Sequence, residues 1–127
     1  MKNRYQPVLA AMIVLQIVHA LEEYLLEFWN EFPPMRAMYG PELGRGVFVV
    51  FHALLIVFGV WCYRQVRRNT EHARAAMWCW VVIQSGTVVA HTIWLVFDAS
   101  YQPGLATLPL FLITIALAIV VLQRAEV

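Results

Sequence analysis

The sequence predicts an all-α, polytopic membrane protein, a bundle of four transmembrane helices that forms one domain over residues 1–127. Composition is the first reason, since 61% of the residues are hydrophobic, 13% are charged and the mean hydropathy is +0.66. The second reason is that the apolar residues form four runs, as membrane-spanning helices require. The apolar composition predicts the lipid bilayer as a partner. No nucleic acid is expected, although the net charge of +1 by itself carries no information on nucleic-acid binding.

The first predicted span covers residues 8–29 and follows a basic start and Pro7, where a helix can begin. The same basic start and apolar run are also typical of a signal peptide, cleaved after Ala20. The span is the better interpretation because the apolar run continues to Trp29. Cleavage would also leave the acids that follow Ala20 at a new terminus, where they would have no role.

Residues 30–46 are predicted to form a surface loop between the first and second spans. Three groups of helix-breaking residues fall in this stretch, namely Pro33-Pro34, Gly40-Pro41 and Gly44-Arg45-Gly46. The aromatic residues near them suit the membrane interface, where a ring lies half in lipid and half in water.

Three more spans follow the predicted loop. The second covers residues 47–63, with His52 as its only histidine or charged residue. The third covers residues 75–97, after a segment rich in arginine. A tight turn at Tyr101-Gln102-Pro103-Gly104 leads to the fourth span, residues 105–122, which contains no charged residue or histidine.

Positive charge is concentrated on one side of the predicted bundle. The seven Lys and Arg residues on that side are Lys2, Arg4, Arg64, Arg67, Arg68, Arg74 and Arg124. Only Arg36 and Arg45 are expected on the other side. The positive-inside rule therefore predicts that both termini are cytoplasmic, in what we expect to be a bacterial inner (plasma) membrane.

A histidine and two acids lie inside the first span, in the stretch His19-Ala20-Leu21-Glu22-Glu23. At about 100° per residue, Glu22 falls about 60° to one side of His19 and Glu23 about 40° to the other, so all three share one face. One acid near the centre of a membrane helix costs roughly 2.5 to 3.5 kcal/mol. Two adjacent acids therefore predict a partner that neutralises them: a proton, a base or a metal ion.

The ionisable residues of three spans are predicted to lie at similar depths. Measured from the outer ends of their spans at about 1.5 Å per residue, His19 lies about 15 Å deep and the two glutamates about 10 Å. On the same scale His52 lies about 8 Å deep and His91 about 9 Å. This agreement predicts a single site near the outer leaflet.

Three imidazoles and a carboxylate form a ligand set for zinc, iron or manganese. Neutral imidazole is a borderline donor, and a carboxylate lowers the net charge of a buried divalent ion. The predicted ligands are His19, Glu23, His52 and His91. Cys62 and Cys79 lie far from this layer and are interpreted as small apolar residues, whereas His72 lies in the arginine-rich segment and is expected to be solvated.

The stretch His19-Ala20-Leu21-Glu22-Glu23 resembles the signature of small integral membrane proteins named after their H-x-x-E-E motif, the HXXEE family. In that family a later helix carries a histidine followed by a Tyr-x-Pro-Gly turn, which His91 and Tyr101-Gln102-Pro103-Gly104 resemble. An asparagine often precedes that histidine by one turn, whereas this chain has Thr87. The resemblance implies a shared site and not a particular reaction.

The two glutamates are predicted to differ in role. Helical side chains lean toward the N-terminus, which brings Glu23, at i+4, over His19 more directly than Glu22. Glu23 is therefore assigned to the metal, and Glu22 to catalysis as a base or to the orientation of a histidine N–H. The polar residues expected to support the ligands are Gln16, Gln84, Thr87 and Asp98.

Several functional interpretations are open at this point. The first is a metal-dependent membrane enzyme, a hydrolase or oxidoreductase, that acts on a small or lipidic substrate from the outer leaflet. The second is a metal-free isomerase that transfers protons with a buried acid and its partner. A third is non-enzymatic, with haem held by His52 and His91 or a path for ions or protons. In the simplest interpretation, the histidines and acids bond to one another and only hold the helices together.

Overall fold

The computed structural model describes residues 4–124, and the secondary structure in this part of the chain is entirely helical. The helices are α1 (Tyr5–Leu25), α2 (Phe28–Glu31), α3 (Pro33–Arg67), α4 (Ala73–Phe97) and α5 (Leu108–Arg124), with a 3₁₀ turn at Leu105–Thr107 before α5. The predicted all-α class is therefore confirmed. Lys2, part of the predicted basic start, lies outside the described residues.

Four helical segments are long and apolar enough to cross a membrane: α1, α3, α4 and the stretch from Leu105 through α5. α1 packs against α3, α4 and α5, and α4 also contacts α3 and α5, so α1 and α4 form the middle of the bundle. Large apolar side chains such as Val57, Val96 and Leu112 are exposed on the outward faces. This pattern is typical of helices that face lipid.

The main apolar core lies in the half of the bundle that contains the termini and the α3–α4 connection. Trp80 is fully buried there, and a Cβ atom on Gly59 would lie 2.8 Å from its Cζ2 atom, so Gly59 permits the close approach of α3. The Gln84 side chain donates to the carbonyl of Met12 at 2.9 Å and accepts from the Thr114 hydroxyl at 2.9 Å. Gln84 thus connects α4 to both α1 and α5.

The segment predicted as a surface loop, residues 30–46, is largely helical, so this prediction is wrong. α3 begins at Pro33, because Pro33 and Pro34 occupy its first two positions, where no backbone N–H is needed. Gly40 interrupts the helix with a φ of 67° and a ψ of 178°, and Pro41 starts it again. The helix-breaking residues therefore mark helix ends and one kink rather than a loop.

The chain turns sharply between α1 and α2. α1 ends at Leu25, before the predicted end at Trp29, and Glu27 adopts the left-handed conformation with a φ of 53°, which no α-helix continues. The short helix α2 then packs on α3, where a Cβ atom on Gly44 would lie 3.2 Å from the Cβ of Trp29. α2 therefore covers the end of the bundle away from the termini, which we call the distal end.

Candidate metal centre

Three histidines contact one carboxylate in the distal half of the bundle. Glu23 Oε1 lies 3.3 Å from His19 Nε2 and 3.1 Å from His91 Nε2. The other oxygen, Glu23 Oε2, lies 3.5 Å from His52 Nε2. Three of the side chains are buried, and that of His52 is 14% exposed. The structure thus brings together the four residues that the sequence predicts as ligands.

The backbone of three helices places these side chains. His19 and Glu23 are neighbours on one face of α1, because residues at i and i+4 lie one turn apart. α3 carries His52 and α4 carries His91, and both helices pack directly against α1. The meeting point therefore depends on the packing of three helices and not on any single motif.

The ring of His52 has a defined tautomer. Its Nδ1 atom lies 2.9 Å from the carbonyl oxygen of Phe48, one turn earlier in α3. Because a carbonyl oxygen can only accept, Nδ1 carries the hydrogen and donates it. In the neutral ring the lone pair is then on Nε2, the atom that faces Glu23.

Thr107 imposes the same tautomer on His19. His19 Nδ1 lies 2.6 Å from Thr107 Oγ1. That hydroxyl also lies 2.9 Å from the carbonyl oxygen of Gly104 and 3.1 Å from Glu22 Oε2, which are both acceptors. The hydroxyl hydrogen is directed to one of them, so the Nδ1–H of His19 donates to Oγ1. Neutral His19 therefore also presents an Nε2 lone pair to Glu23.

Two imidazole lone pairs directed at a carboxylate require a cation between them. A proton satisfies one such contact, whereas a divalent metal ion satisfies them together. Ligand atoms bound tetrahedrally to zinc at about 2.0–2.1 Å lie about 3.3–3.4 Å from one another, and Glu23 Oε1 lies 3.3 Å from His19 Nε2 and 3.1 Å from His91 Nε2. His52 Nε2 lies 3.5 Å from the other oxygen, Glu23 Oε2, and does not belong to the three-residue group that follows. Single ligand atoms of His19, Glu23 and His91 all lie within 4.8 Å of one another, so these three could hold a metal ion.

Comparisons of the chain with family models, curated proteins and solved structures found no match. The resemblance to the HXXEE family therefore stays a prediction. What the site does has to be inferred from its own chemistry.

Glu22 lies on the side of α1 that faces the start of α5, away from the three histidines. Its Oε1 accepts hydrogen bonds from the Tyr101 hydroxyl and from the backbone N–H of Ala106, the latter at 3.1 Å. The hydrogen bond to Glu22 raises the pKa of Tyr101, which keeps the phenol protonated as a donor. The His19 Nδ1–H donates to the Thr107 hydroxyl, which in turn lies next to Glu22, so the predicted direct contact of Glu22 with a histidine N–H is replaced by a contact through Thr107. The role of Glu22 as a base stays a prediction.

Gly104, part of the predicted tight turn, lies directly against the histidines. Its φ of +89° is in the left-handed region, and a Cβ atom there would lie 2.5 Å from His19 Cε1 and 2.9 Å from His91 Cε1. The turn after α4 therefore folds directly over both imidazoles. A Pro-Gly pair at a tight turn was the available signal, but the sequence does not show what the glycine contacts.

The supporting polar residues predicted from the sequence are found in different places. Gln16 and Thr87 line a cavity beside the four ligands. Gln84 does not line this cavity; its side chain bonds to α1 and α5, as described above. Asp98 is exposed in the α4–α5 connection, where hydrogen bonds from Ser100 lower the pKa of its carboxyl group. Gln84 and Asp98 therefore support the bundle and the connection.

The cavity beside the site has a volume of about 500 Å³ and lies between α1, α3 and α4. Apart from the polar residues at the site, its walls are mainly apolar. Aromatic rings cover its distal end: the ring centroid of Phe28 on α2 lies 5.7 Å from that of Phe48 and 5.9 Å from that of Trp94. The site therefore faces an apolar compartment.

Replacement of Thr107 by Val is expected to weaken metal binding by about 10- to 100-fold, the usual effect of removing a group that orients a ligating histidine. Val has nearly the same shape but can neither accept the Nδ1–H of His19 nor donate to its present acceptors. Competition of the purified variant with a metal chelator measures the effect.

Two variants control for the loss of a buried hydroxyl. Thr107→Ser keeps the hydroxyl and should keep the metal affinity. Thr114 lies in α5, and its hydroxyl bonds to Gln84 rather than to the site. Thr114→Val should therefore also keep the metal affinity. Equal weakening in the Thr107 and Thr114 valine variants would show that Thr107 has no specific role.

Proposed function

We propose that the protein is an integral membrane metalloenzyme that holds one divalent ion, zinc, iron or manganese, within its helical bundle. The proposed ligands are His19, Glu23, His52 and His91. The observation that supports this most directly is the pair of Nε2 lone pairs, on His19 and His52, directed at the Glu23 carboxylate. When bound, such an ion would supply Lewis-acid chemistry to a carbonyl or phosphoryl group of the substrate.

The surroundings of the ligands support a small or lipidic substrate. The cavity that reaches them is mainly apolar and lies inside a bundle whose four long helices are apolar enough for a membrane. We place both termini in the cytoplasm, because most Lys and Arg residues lie on that side. The site would then lie toward the outer leaflet.

The geometry also favours one role for Glu22. Both of its oxygens accept hydrogen bonds from the segment that precedes α5, and Glu22 is not among the residues that line the cavity. We therefore propose that Glu22 orients His19 through Thr107. A substrate in the cavity would meet His52 and Glu23 before it could reach Glu22.

The contacts of Glu23 argue against haem held between His52 and His91. The Glu23 carboxylate touches the Nε2 atoms of both rings, at 3.5 and 3.1 Å, and so occupies the space where the iron would have to bind. The metal-free isomerase is the alternative that the same contacts allow, because a proton can replace the ion between a ring and the carboxylate.

Metal analysis of the protein purified in a mild detergent tests the proposal. We expect about one divalent ion per chain in the native protein. His52→Ala and His91→Ala should each lower this content strongly while the protein remains folded, because transmembrane helices keep their internal backbone hydrogen bonds. Elemental mass spectrometry gives the content, and size-exclusion chromatography reports the folded state.

His72→Ala is the matched control, since His72 is an exposed histidine that is not among the four proposed ligands, and its Nε2 atom lies 3.6 Å from the Glu71 carboxylate. This variant should keep the native metal content. A native protein that is free of metal and cannot be loaded with zinc, iron or manganese would contradict the proposal and favour the isomerase.

A further inference from the structure

The cavity beside the proposed metal centre has a polar end and an apolar remainder. Its volume of about 500 Å³ falls within the range of pockets that enclose a small molecule. The polar end is defined by the proposed ligands, Gln16 and Thr87, which all line the cavity. Side chains such as Leu55 and Ile83 form the apolar walls. A molecule that fits this cavity must therefore have one polar group and an apolar body.

Gln16 supplies an unused hydrogen-bonding group at the polar end. It lies one turn before His19 on α1, lines the cavity and is only 3% exposed. Its Oε1 atom has no hydrogen-bond partner among the described residues. Buried side-chain amides in proteins are almost always hydrogen-bonded. The unpartnered oxygen therefore points to a ligand that carries an N–H or O–H donor.

The cavity opens sideways, between α3 and α4. Phe51 on α3 and Ala90 on α4 both line it, and both are exposed at the surface of the bundle, Phe51 by 59%. Each is the direct neighbour of a proposed ligand, His52 or His91, so the opening lies at the level of the site. In a membrane this surface faces hydrocarbon.

The distal end of the cavity is covered by aromatic rings, as described above. Phe28 and Phe48 both line the cavity, and Trp29 beside them is buried. The end toward the termini abuts the main core around Trp80. The sideways opening is therefore the route that an apolar chain would take.

We propose that the cavity binds a single-chain lipid, with its polar head at Gln16 and the metal centre and its alkyl chain leaving between α3 and α4. The head must carry an oxygen that binds the ion and a donor that bonds to Gln16 Oε1. The cavity has the volume for one polar head and part of one chain. This inference rests on the proposed metal site and adds the class of substrate and its route of entry.

A photoreactive probe tests the inference. The probe is a long-chain alkyl hydroxamate with a diazirine near the end of its chain, because hydroxamate combines a metal-binding oxygen with an N–H donor. After irradiation of the purified protein, mass spectrometry identifies the labelled residues. We expect saturable labelling of α3 and α4 beside the opening, and competition by the same hydroxamate without the diazirine.

Two tryptophan variants on neighbouring positions of α4 separate entry through the opening from general labelling. Ala90→Trp fills the opening and should lower the saturable labelling at least tenfold. Val89→Trp adds the same side chain at a position that is 56% exposed and outside the cavity walls, and it should label like the native protein. Equal labelling of the two variants would overturn the inference.

Gln16→Leu gives an independent measurement of the polar contact. It should weaken probe binding, measured per metal-loaded chain, by about three- to tenfold, the effect of one lost hydrogen bond. Unchanged probe binding would remove Gln16 from the site.

Metal content measured on the same samples keeps the two proposals distinguishable. A protein that holds its metal but shows no saturable labelling would overturn the lipid site and leave the metal centre. Saturable labelling of a protein that cannot bind metal would overturn the metal centre and keep the lipid site.

Discussion

Replacement of Glu23 by Gln is expected to abolish metal binding while the bundle remains folded. All three histidines contact this carboxylate, at 3.1–3.5 Å. Gln keeps the shape of the side chain but lacks the negative charge that lowers the net charge of a buried divalent ion. Competition with a chelator should show a loss of affinity of more than about 100-fold, beyond the usual effect of supporting residues.

Glu22→Gln is the matched control, because it makes the same change at the next residue. The Gln oxygen can still accept from Tyr101 and Ala106, and the Gln NH₂ group can donate to the Thr107 hydroxyl. The Thr107 hydrogen would then go to the carbonyl of Gly104. This variant should keep its metal within about tenfold. An equal loss in the two variants would show that both carboxylates bind the ion, and equal retention would leave a site made of histidines only.

Replacement of Gly104 by Ala is expected to remove metal binding almost as completely, although Gly104 offers no ligand atom. The added Cβ would lie 2.5 Å from His19 Cε1, 2.9 Å from His91 Cε1 and 3.1 Å from Glu23 Cγ. The backbone at φ +89° adds about 1–2 kcal/mol of strain for any residue with a Cβ. Because ligands must be held within about 0.5 Å of their positions, we expect a loss of affinity of more than about 100-fold in the chelator titration.

Variants of two other glycines separate the steric overlap at the site from backbone strain and from a general effect of replacing glycine by alanine. Gly40 also has a positive φ, +67°, but no atom lies within 4 Å of its Cβ position, so Gly40→Ala adds strain without overlap at the site. Gly86 lies in α4 with open space around it, and Gly86→Ala should stabilise the helix by up to about 1 kcal/mol. Both variants should bind metal normally. A loss of metal in Gly40→Ala equal to that in Gly104→Ala would show that strain alone accounts for the effect.

The helical class and the meeting of the histidines follow from simple properties of the sequence. Apolar runs identify membrane-type helices, and the fixed rise of an α-helix makes the depth of a residue along it predictable. The sequence therefore predicts similar depths for His19, His52 and His91, although α1 ends earlier and α3 begins earlier than the span ends from which those depths are counted. Their roles at a metal ion stay predictions that the variants described above test.

The helical segment that begins at Pro33 could not be predicted from composition. Proline and glycine break helices only at interior positions, and the same residues are well suited to a helix start or a kink. Pro33 and Pro34 are the first residues of α3, and Gly40 lies at a single kink. Whether such residues end a helix or begin one depends on how the segment packs, here on α2.

The support of the site by the chain after α4 could not be predicted either. Gly104 and Thr107 reach His19 only because the turn folds back over α1. No periodic pattern relates these residues to the H-x-x-E-E stretch, since their contact depends on tertiary structure alone. The sequence indicates a tight turn at Gly104 and contains Thr107, but it does not indicate that both residues contact His19.

The contact between His19 and Thr107 joins residues that are 88 positions apart in the chain. The helices that carry the four proposed ligands are synthesised first, whereas the residues that fix the His19 ring arrive just before α5. Because chains are made from the N-terminus, His19 is made before the residue that sets its tautomer, whereas the tautomer of His52 is set within its own helix by Phe48. Capture of the correct ion is therefore expected to be the last event in the maturation of the protein, after the final helix has docked.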